Sequence, residues 1–334
     1  MSDIKIFAGS SGKVFAARMC SYLGIEPRPT ETIRFSEGNT YVKIGEHVRD
    51  EEVYLVQPIG GGASGGTAAG GGANDDLVEL LFWMDAFKRS GAKYVTAVIP
   101  YFSYAKGDKK DEPRVSIRAR VVAESIELAG ADRIITMDLH APQIQGFFKK
   151  PVDHLFARPI LGSLIERLGI EDLVIVSPDA GFAKNARRYA SRLCVPLAIA
   201  DKTRVCNDER AEILDIIGDV AGKNAMIVDD FSLSGGTLAE LSRQLKAKGA
   251  RRVYACLSHL PLSEAGIERI GESDIEYVIS TDSVPRQWPL DPSRFKIASV
   301  APLFAEVVSR MQNKKAIGDL MDEVPDSMLS DFPG

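Results

Sequence analysis

Cysteine is scarce in this chain of 334 residues and never occurs as a close pair. The four cysteines are Cys20, Cys194, Cys206 and Cys256, and no C-x-x-C motif is present. Zinc modules and disulfide frameworks depend on closely spaced thiols, so both are disfavoured. The cysteines are therefore predicted to be scattered thiols of a protein from a reducing compartment.

Long apolar runs and an excess of positive charge are also missing. No apolar run approaches the ~18 residues that a membrane span requires, and the N-terminus has no basic segment followed by a long apolar one. We therefore expect a cytoplasmic protein with no membrane partner. Lysine and arginine number 41 against 46 acidic residues, a formal net charge of −5, so we expect no nucleic-acid partner either.

Glycine, by contrast, is concentrated in one place. Eight of the 29 glycines fall within residues 60–72, which read GGGASGGTAAGGG. The run follows a predicted strand, where a phosphate-binding loop could occur, but a P-loop needs G-x-x-x-x-G-K-[ST] and this run contains no lysine. Its composition is typical of a flexible linker. Whether the run is a natural or an engineered insertion stays open at this point.

Strand-like runs alternate with amphipathic helical segments along most of the chain. Predicted strands cover residues 4–8, 52–57, 94–99, 133–137, 173–177, 197–200, 224–228 and 252–257, and predicted helices cover 13–23, 76–90, 117–128, 159–168, 183–193 and 238–248. This alternation predicts mostly parallel sheets flanked by helices. The division near residue 150 predicts domains at 1–148 and 149–301, a helix at 302–315 that returns to the first domain, and a polar tail at 316–334.

One loop combines two carboxylates with a turn of small residues and a helix start. The apolar strand 224–228 leads into Asp229, Asp230, Leu233, Ser234, Gly235, Gly236 and Thr237. Backbone N–H groups in such a turn, together with a helix N-terminus, suit a phosphate monoester. The carboxylates can accept hydrogen bonds from a sugar diol or act through Mg²⁺. An ordinary α/β turn is the alternative, but the order of these elements favours a ligand site.

A second motif occupies residues 138–153, which read DLHAPQIQGFFKKPVD. His140 follows an apolar strand and therefore lies where ligand sites of α/β folds gather. A lone histidine is more often structural, but this one stands beside Asp138 and glutamines in a loop. The whole motif resembles the hallmark of the ribose-phosphate pyrophosphokinases, also called phosphoribosyl pyrophosphate synthetases. The resemblance extends over about residues 4–310 and implies two phosphoribosyltransferase-like α/β domains.

Other segments are similar to functional segments of the same family. Residues 35–39, which include Phe35, Glu37 and Asn39, resemble an adenine-binding loop that is contributed across a subunit interface. Residues 100–110 resemble the ATP-phosphate segment, and residues 177–181 resemble a metal and substrate loop. Residues 201–204 resemble the start of a flexible catalytic loop.

The resemblance implies a transfer of the β,γ-diphosphoryl group of ATP to the anomeric hydroxyl of ribose 5-phosphate. The resemblance implies that ATP binds to Phe35, Glu37, Asn39, Lys106, Gly107, Asp108 and His140, and that Mg²⁺ binds to His140 and Asp179. It implies that ribose 5-phosphate binds to Arg204, Asp229, Asp230 and residues 233–237. The catalytic residues that it implies are Lys202, Arg204 and His140. Such a transfer depends on positioning and charge neutralisation more than on covalent help. The family also implies a homo-oligomer built from dimers, as far as a hexamer.

The sequence departs from the common family pattern at several of these positions. Lys106-Gly107 stand where the family usually has Arg-Gln, Ala180 replaces a histidine, Leu233 replaces an aspartate and Asn39 replaces a carboxylate. Lysine offers a point charge in place of the bidentate arginine fork. Two alternatives therefore stay open, namely a weakly active or inactive partner subunit that assembles with an active paralogue, and a phosphoribosyltransferase that consumes phosphoribosyl pyrophosphate.

Overall fold

The structure, a computed structural model, describes residues 4–60, 72–203, 212–286 and 288–329. Its strands are β1 (Lys5–Ala8), β2 (Thr30–Arg34), β3 (Thr40–Ile44), β4 (Glu52–Val56), β5 (Tyr94–Ile99), β6 (Arg133–Met137), β7 (Val152–Leu155), β8 (Leu173–Ser177), β9 (Leu197–Thr203), β10 (Glu212–Ile217), β11 (Asn224–Phe231), β12 (Arg252–His259), β13 (Ile275–Thr281) and β14 (Phe295–Ala298). Its helices are α1 (Lys13–Leu23), α2 (Ala73–Arg89), α3 (Arg118–Ala129), α4 (Arg158–Arg167), α5 (Ala183–Arg192), α6 (Gly236–Ala247), α7 (Glu264–Gly271) and α8 (Ala301–Gln312).

The chain folds into two compact units. The first comprises Met1–Phe156, Ser283–Gln287 and Val300–Met321, and the second comprises Ala157–Asp282, Trp288–Ser299 and Asp322–Gly334. Residues 149–156, which the sequence assigned to the second domain, lie in the first unit because β7 pairs with β6. The described part of the polar tail is ordered, since Met328 and Leu329 are buried and Arg167 pairs with Asp326 at 2.7 Å.

The first unit is built on a five-stranded sheet with the order β1-β4-β5-β6-β7, in which every neighbouring pair is parallel. Four of these strands, β1, β4, β5 and β6, are mostly apolar, as expected for a parallel sheet that is covered on both faces. Trp83 and Phe87 of α2 are fully buried in the core of this unit. Phe15 of α1 meets Phe304 of α8 edge to face at 5.3 Å, so the C-terminal helix belongs to this unit. β2 and β3 form a separate antiparallel hairpin.

The second unit contains a seven-stranded sheet with the order β10-β9-β8-β11-β12-β13-β14. All of its pairs are parallel except β9 with β10, which is antiparallel. Leu238, Leu241 and Leu245 lie on one face of α6 and are buried in the core of this unit. In the described part of the chain, no helix has both the length and the apolar composition needed to cross a membrane.

Candidate functional site

In the second unit, three neighbouring strands carry predicted site residues at their carboxyl ends. β8 pairs in parallel with β9 on one side and with β11 on the other. Asp179 follows β8, Lys202 lies near the end of β9, and Asp229 and Asp230 lie near the end of β11. Carboxyl ends of parallel strands meet at one edge of a sheet, which is where α/β folds bind ligands. The topology therefore brings these four residues to the same edge.

The acidic residues at this edge influence one another electrostatically. Burial raises the pKa of Asp229 well above its usual value, and the neighbouring Asp230 carboxylate and the charge of Asp179 raise it further. Asp229 accepts the backbone N–H of Asp230 at 2.9 Å, and Asp230 accepts that of Phe231 at 2.8 Å. These bonds orient the two carboxylates. A cation at this edge would offset the negative charge, and a substrate hydroxyl would stabilise a carboxylate by donating a hydrogen bond to it.

The loop after β11 ends in a helix N-terminus with exposed hydroxyl groups. Ser232 Oγ accepts the N–H of Gly235 at 3.2 Å, and Ser234 Oγ lies 3.4 Å from the nitrogen of Gly236. The carbonyl oxygen of Ser234 accepts a hydrogen bond from the Arg269 guanidinium. The first turn of α6 contains no acidic residue. No carboxylate in the first turn of α6 therefore neutralises the positive end of the helix dipole. This absence favours binding of a phosphate there.

Gly235 is required by the geometry of this turn. Its φ angle is +69°, in the left-handed region that glycine adopts without strain. A Cβ at this position would lie 2.9 Å from the carbonyl oxygen of Gly266 and 3.1 Å from Ile270. Leu233, at the position where the family usually has an aspartate, is 48% exposed and does not belong to the buried core.

The Asp179 loop is held by short-range hydrogen bonds. The Ser177 hydroxyl donates to the carbonyl oxygen of Asp179 at 2.7 Å. One carboxylate oxygen of Asp179 accepts the N–H of Phe182 at 2.9 Å, just before α5. Ala180 stands between these contacts, and it adds no polar group in place of the family's histidine.

In the first unit, β5 and β6 are parallel neighbours, and each leads into a predicted nucleotide segment. His140 follows β6 and is exposed. Lys106 and Gly107 end a 3-10 turn, Ser103–Gly107, which follows β5. Lys106 is exposed and Asp108 is half-buried. The fold therefore places these two segments at the same edge of the first sheet.

Gly107 is closely packed against a side chain that sequence reasoning did not single out. A Cβ at Gly107 would lie 2.8 Å from Cβ and 2.9 Å from Nε of Arg118, the first residue of α3. The absence of a side chain at position 107 is therefore coupled to an arginine at position 118. The exposed guanidinium of Arg118 lies beside Lys106-Gly107, which places a second positive charge next to this segment.

The predicted adenine loop is the turn between β2 and β3. The N–H of Phe35 donates to the carbonyl oxygen of Asn39 at 2.8 Å, and Asn39 Oδ1 accepts the N–H of Thr40. Phe35 is 46% exposed, and Glu37 is exposed as well. An aromatic ring that is presented to solvent on a hairpin suits stacking against a base.

Two buried carboxylates of α2 form a network that sequence reasoning missed. Glu79 is fully buried and accepts hydrogen bonds from the Ser10 N–H at 2.8 Å, the Thr32 hydroxyl at 3.0 Å and the Trp83 ring N–H at 3.1 Å, with a further bond from the Ser10 hydroxyl. Asp76 accepts the N–H of Gly60 at 3.0 Å. The signal in the sequence was the i, i+3 spacing of the two acids on the buried face of α2.

Arg204 lies outside the described residues, as do residues 61–71 of the glycine-rich run. Lys202 lies on β9. The roles assigned to these residues, like those of the other site residues, stay predictions.

The residues at the edge of the second sheet fit a hard cation. Within the described ranges, no three or more histidine, cysteine or acidic side chains converge in a geometry that could hold a metal ion. Mg²⁺ does not need such a cage, since it usually binds one or two carboxylates and completes its shell with water and substrate phosphates. Asp179, Asp229 and Asp230 supply carboxylate oxygens of this kind. His140, the other predicted ligand, belongs to the first unit.

Family models match most of the chain. Residues 4–130 match the N-terminal domain of ribose phosphate pyrophosphokinase, and residues 204–322 match the phosphoribosyl synthetase-associated domain. A ribose-phosphate pyrophosphokinase of Caldanaerobacter subterraneus subsp. tengcongensis is 43% identical over 321 residues, which covers 96% of this chain and 98% of that protein. The enzyme of the same name from Helicobacter hepaticus is 41% identical over 320 residues, which covers 96% of this chain and 99% of that protein.

A solved structure agrees with the sequence comparison. The crystal structure of phosphoribosylpyrophosphate synthetase from Mycobacterium smegmatis superimposes with a TM-score of 0.83 at 34% identity, covering 94% of this chain and all of that one. This match confirms the predicted fold of two phosphoribosyltransferase-like α/β domains. The resemblance inferred from residues 138–153 is confirmed as well, and the chain belongs to the ribose-phosphate pyrophosphokinase family.

Proposed function

We propose that this chain is an active ribose-phosphate diphosphokinase, which converts ATP and ribose 5-phosphate to 5-phosphoribosyl 1-pyrophosphate and AMP for nucleotide biosynthesis. The observation that carries the proposal is the near full-length match to enzymes of that name. The architecture of the loop after β11 supports it, because that loop pairs two oriented carboxylates with an open helix N-terminus.

Ribose 5-phosphate is assigned to the loop after β11. The N–H groups of Gly236 and Thr237 at the start of α6, with the hydroxyls of Ser234 and Thr237, bind the 5-phosphate. Asp229 and Asp230 accept hydrogen bonds from the ribose hydroxyls, and Arg204 adds a positive charge. Leu233 contributes backbone only, since its side chain cannot accept a hydrogen bond.

ATP is assigned to the carboxyl edge of the first sheet. Phe35, Glu37 and Asn39 contact the adenine, and Lys106, Gly107 and Asp108 lie along the phosphates. Lys106 neutralises phosphate charge as a point charge rather than as a fork.

Mg²⁺ is assigned to His140 and Asp179. When bound, the ion neutralises charge on the ATP oxygens. His140 also orients the nucleotide. One carboxylate oxygen of Asp179 accepts the N–H of Phe182, which leaves the other oxygen to serve as the metal ligand in this proposal.

Lys202 and Arg204 are assigned to charge stabilisation during the transfer. In-line displacement at the β-phosphorus develops negative charge on the equatorial and bridging oxygens, and cations that are positioned beforehand lower the barrier. The position of Lys202 on a strand next to β8 supports this role, because it lies at the same sheet edge as Asp179 and Asp229.

A homo-oligomer built from dimers, as far as a hexamer, and a cytoplasmic location are part of the same proposal. The β2–β3 hairpin supports the assembly, since Ile33, Phe35 and Tyr41 expose between 40% and 46% of their surface. Exposed apolar side chains grouped on one hairpin are typical of an interaction surface.

The test uses the purified chain alone with ATP, ribose 5-phosphate and Mg²⁺. Formation of AMP together with phosphoribosyl pyrophosphate, and its loss in Lys202→Ala with unchanged folding, supports the proposal. No turnover by the folded chain until an active homologue is added would favour the partner-subunit alternative. Pyrophosphate release that depends on an added base would favour a phosphoribosyltransferase.

A further inference from the structure

His154 is a buried histidine that has no role in the proposed chemistry. It contacts residues 138–141, called here the His140 segment. His154 lies in β7, which pairs in parallel with β6, and the side chain is 6% exposed. Its Nε2 atom accepts the backbone N–H of Leu139 at 2.9 Å. Leu139 directly precedes His140, so this bond fixes the backbone one residue away from the predicted nucleotide ligand.

The same imidazole makes a second contact with the chain, beyond His140. The side-chain amide of Gln145, in the 3-10 turn Pro142–Phe147, lies 3.2 Å from Nδ1 of His154. The ring of Phe156 packs against the imidazole with centroids 4.8 Å apart. His154 therefore hydrogen-bonds to the chain before His140 and contacts Gln145 after it.

The backbone at this point needs external support. Asp138 has a φ angle of +38°, which a residue with a side chain adopts only at a cost. Its N–H donates to the carbonyl oxygen of Leu155 at 3.1 Å. Two consecutive residues of β7 thus supply the acceptors for two consecutive N–H groups, of Asp138 and of Leu139. A strained turn persists where the surrounding contacts hold it in this way.

We propose that His154 is a positioning residue that fixes the His140 segment for the reaction. The inference rests on the proposed function, since it assumes that His140 acts on the nucleotide. The imidazole accepts the N–H of Leu139 through the lone pair of Nε2, so a side chain without an acceptor at this position cannot replace it. Mutation of a residue that supports a metal ligand through a hydrogen bond commonly lowers activity by roughly 10- to 100-fold.

The experiment compares two substitutions with a control elsewhere in the same unit. His154→Gln keeps an acceptor near the position of Nε2, whereas His154→Leu removes it at similar volume. Lys88→Met is the control, because it breaks a 2.6 Å ion pair with Asp132 at the opposite end of β6. Hydrogen–deuterium exchange of the backbone amides of residues 138–141 measures how firmly the segment is held in place. Steady-state kinetics measure the effect on kcat and KM.

In His154→Leu we expect faster exchange in residues 138–141, kcat lowered by roughly 10- to 100-fold, and an unchanged KM for ribose 5-phosphate. His154→Gln should stay near wild type in both measurements, and Lys88→Met should lower stability without lowering kcat. Wild-type exchange in His154→Leu would overturn the inference, and so would an equal loss of kcat in Lys88→Met. A wild-type chain without turnover would contradict the proposed function instead, and the exchange data would still decide whether His154 holds the segment.

Discussion

The carboxylate of Asp76 accepts the backbone N–H of Gly60 at 3.0 Å. This bond ties the first turn of α2 to the residue just before the part of the glycine-rich run that lies outside the described residues. Asp76 is 3% exposed, and Glu79 lies one turn further along the same buried face. A buried acid beside a second acid prefers to keep its proton, and its state depends on pH.

Asp76 should make stability depend on pH. Burial raises its pKa to about 7, with the Glu79 carboxylate adding to the rise while the Gly60 N–H and Arg34 oppose it. The folded protein then binds a proton that the unfolded chain releases near pH 4, so this contribution is complete below pH 4 and is lost as the pH rises through 7.

Asp76→Asn should remove this dependence and keep an acceptor for Gly60. Relative to wild type, we expect the free energy of unfolding to rise by about 1–4 kcal/mol at pH 8 and by much less at pH 4. Denaturant unfolding at the two pH values measures it. A pH-independent difference between the two proteins would show that folding does not shift the pKa of Asp76.

The glycine-rich run should be removable, because its flanks are held independently. Gly60 is bound by Asp76, and the carbonyl oxygen of Gly72 accepts the N–H groups of Asp75 and Asp76 at 2.9 and 3.1 Å. Replacing residues 61–71 by a four-residue Gly-Ser bridge should stabilise the fold by about 1 kcal/mol or less, through the lower entropy of loop closure.

The same replacement should leave the KM for ATP within about twofold of wild type, because the run lacks the lysine that a phosphate loop uses. Thermal unfolding and ATP saturation curves measure both effects. A large rise in the KM for ATP in a protein that still folds would show that residues 61–71 contribute to the nucleotide site.

Gly235→Ala should impair binding of ribose 5-phosphate. The added Cβ meets the Gly266 carbonyl oxygen at 2.9 Å in a residue with φ of +69°, so the turn before α6 must shift. Gly249→Ala is the matched control, since φ is +88° there but the Cβ would come no closer than 3.7 Å to Ala221. Both variants pay a strain of about 1–2 kcal/mol, but only Gly235→Ala should raise the KM for ribose 5-phosphate. Equal KM values in the two variants would contradict the assignment of this turn.

Asp229→Asn should separate stability from activity. Burial and the charges of Asp230 and Asp179 raise the pKa of Asp229, so the neutral amide should leave the free energy of unfolding unchanged or increase it. Replacement of a carboxylate oxygen that accepts hydrogen bonds from the ribose hydroxyls by an amide NH2 should lower kcat/KM for ribose 5-phosphate by about 10- to 100-fold. Unfolding and kinetic measurements on the same preparation test both expectations. Full activity in this variant would show that Asp229 does not contribute to the substrate site.

Much of the architecture could be predicted, because parallel strands buried on both faces read as apolar runs between amphipathic helices. The β2–β3 hairpin could not, since it carries charged residues such as Glu31 and Lys43 and its strands are only partly buried. β7 could not be predicted either, because a strand of four residues that contains Asp153 and His154 has no clear apolar pattern.

For the site, the motifs indicated which segments carry chemistry, but not the side chains that support them. The hydrogen-bond network of Asp76 and Glu79 could not be predicted, because it depends on backbone donors from distant loops. In the sequence, Gly107 differs from the family pattern only by the absence of a glutamine side chain. In the structure, the space that a side chain at position 107 would need is occupied by Arg118. Such pairs are distant in sequence, and no local pattern connects them.

The most direct test of the account is to follow the phosphorus of ATP by ³¹P NMR, with the purified chain, ribose 5-phosphate and Mg²⁺. Transfer of an intact diphosphoryl group predicts that AMP and phosphoribosyl pyrophosphate appear in equal amounts, with no ADP, and that neither forms when ribose 5-phosphate is omitted. ADP as the first product, or an unchanged spectrum from well-folded protein, would contradict the central claim.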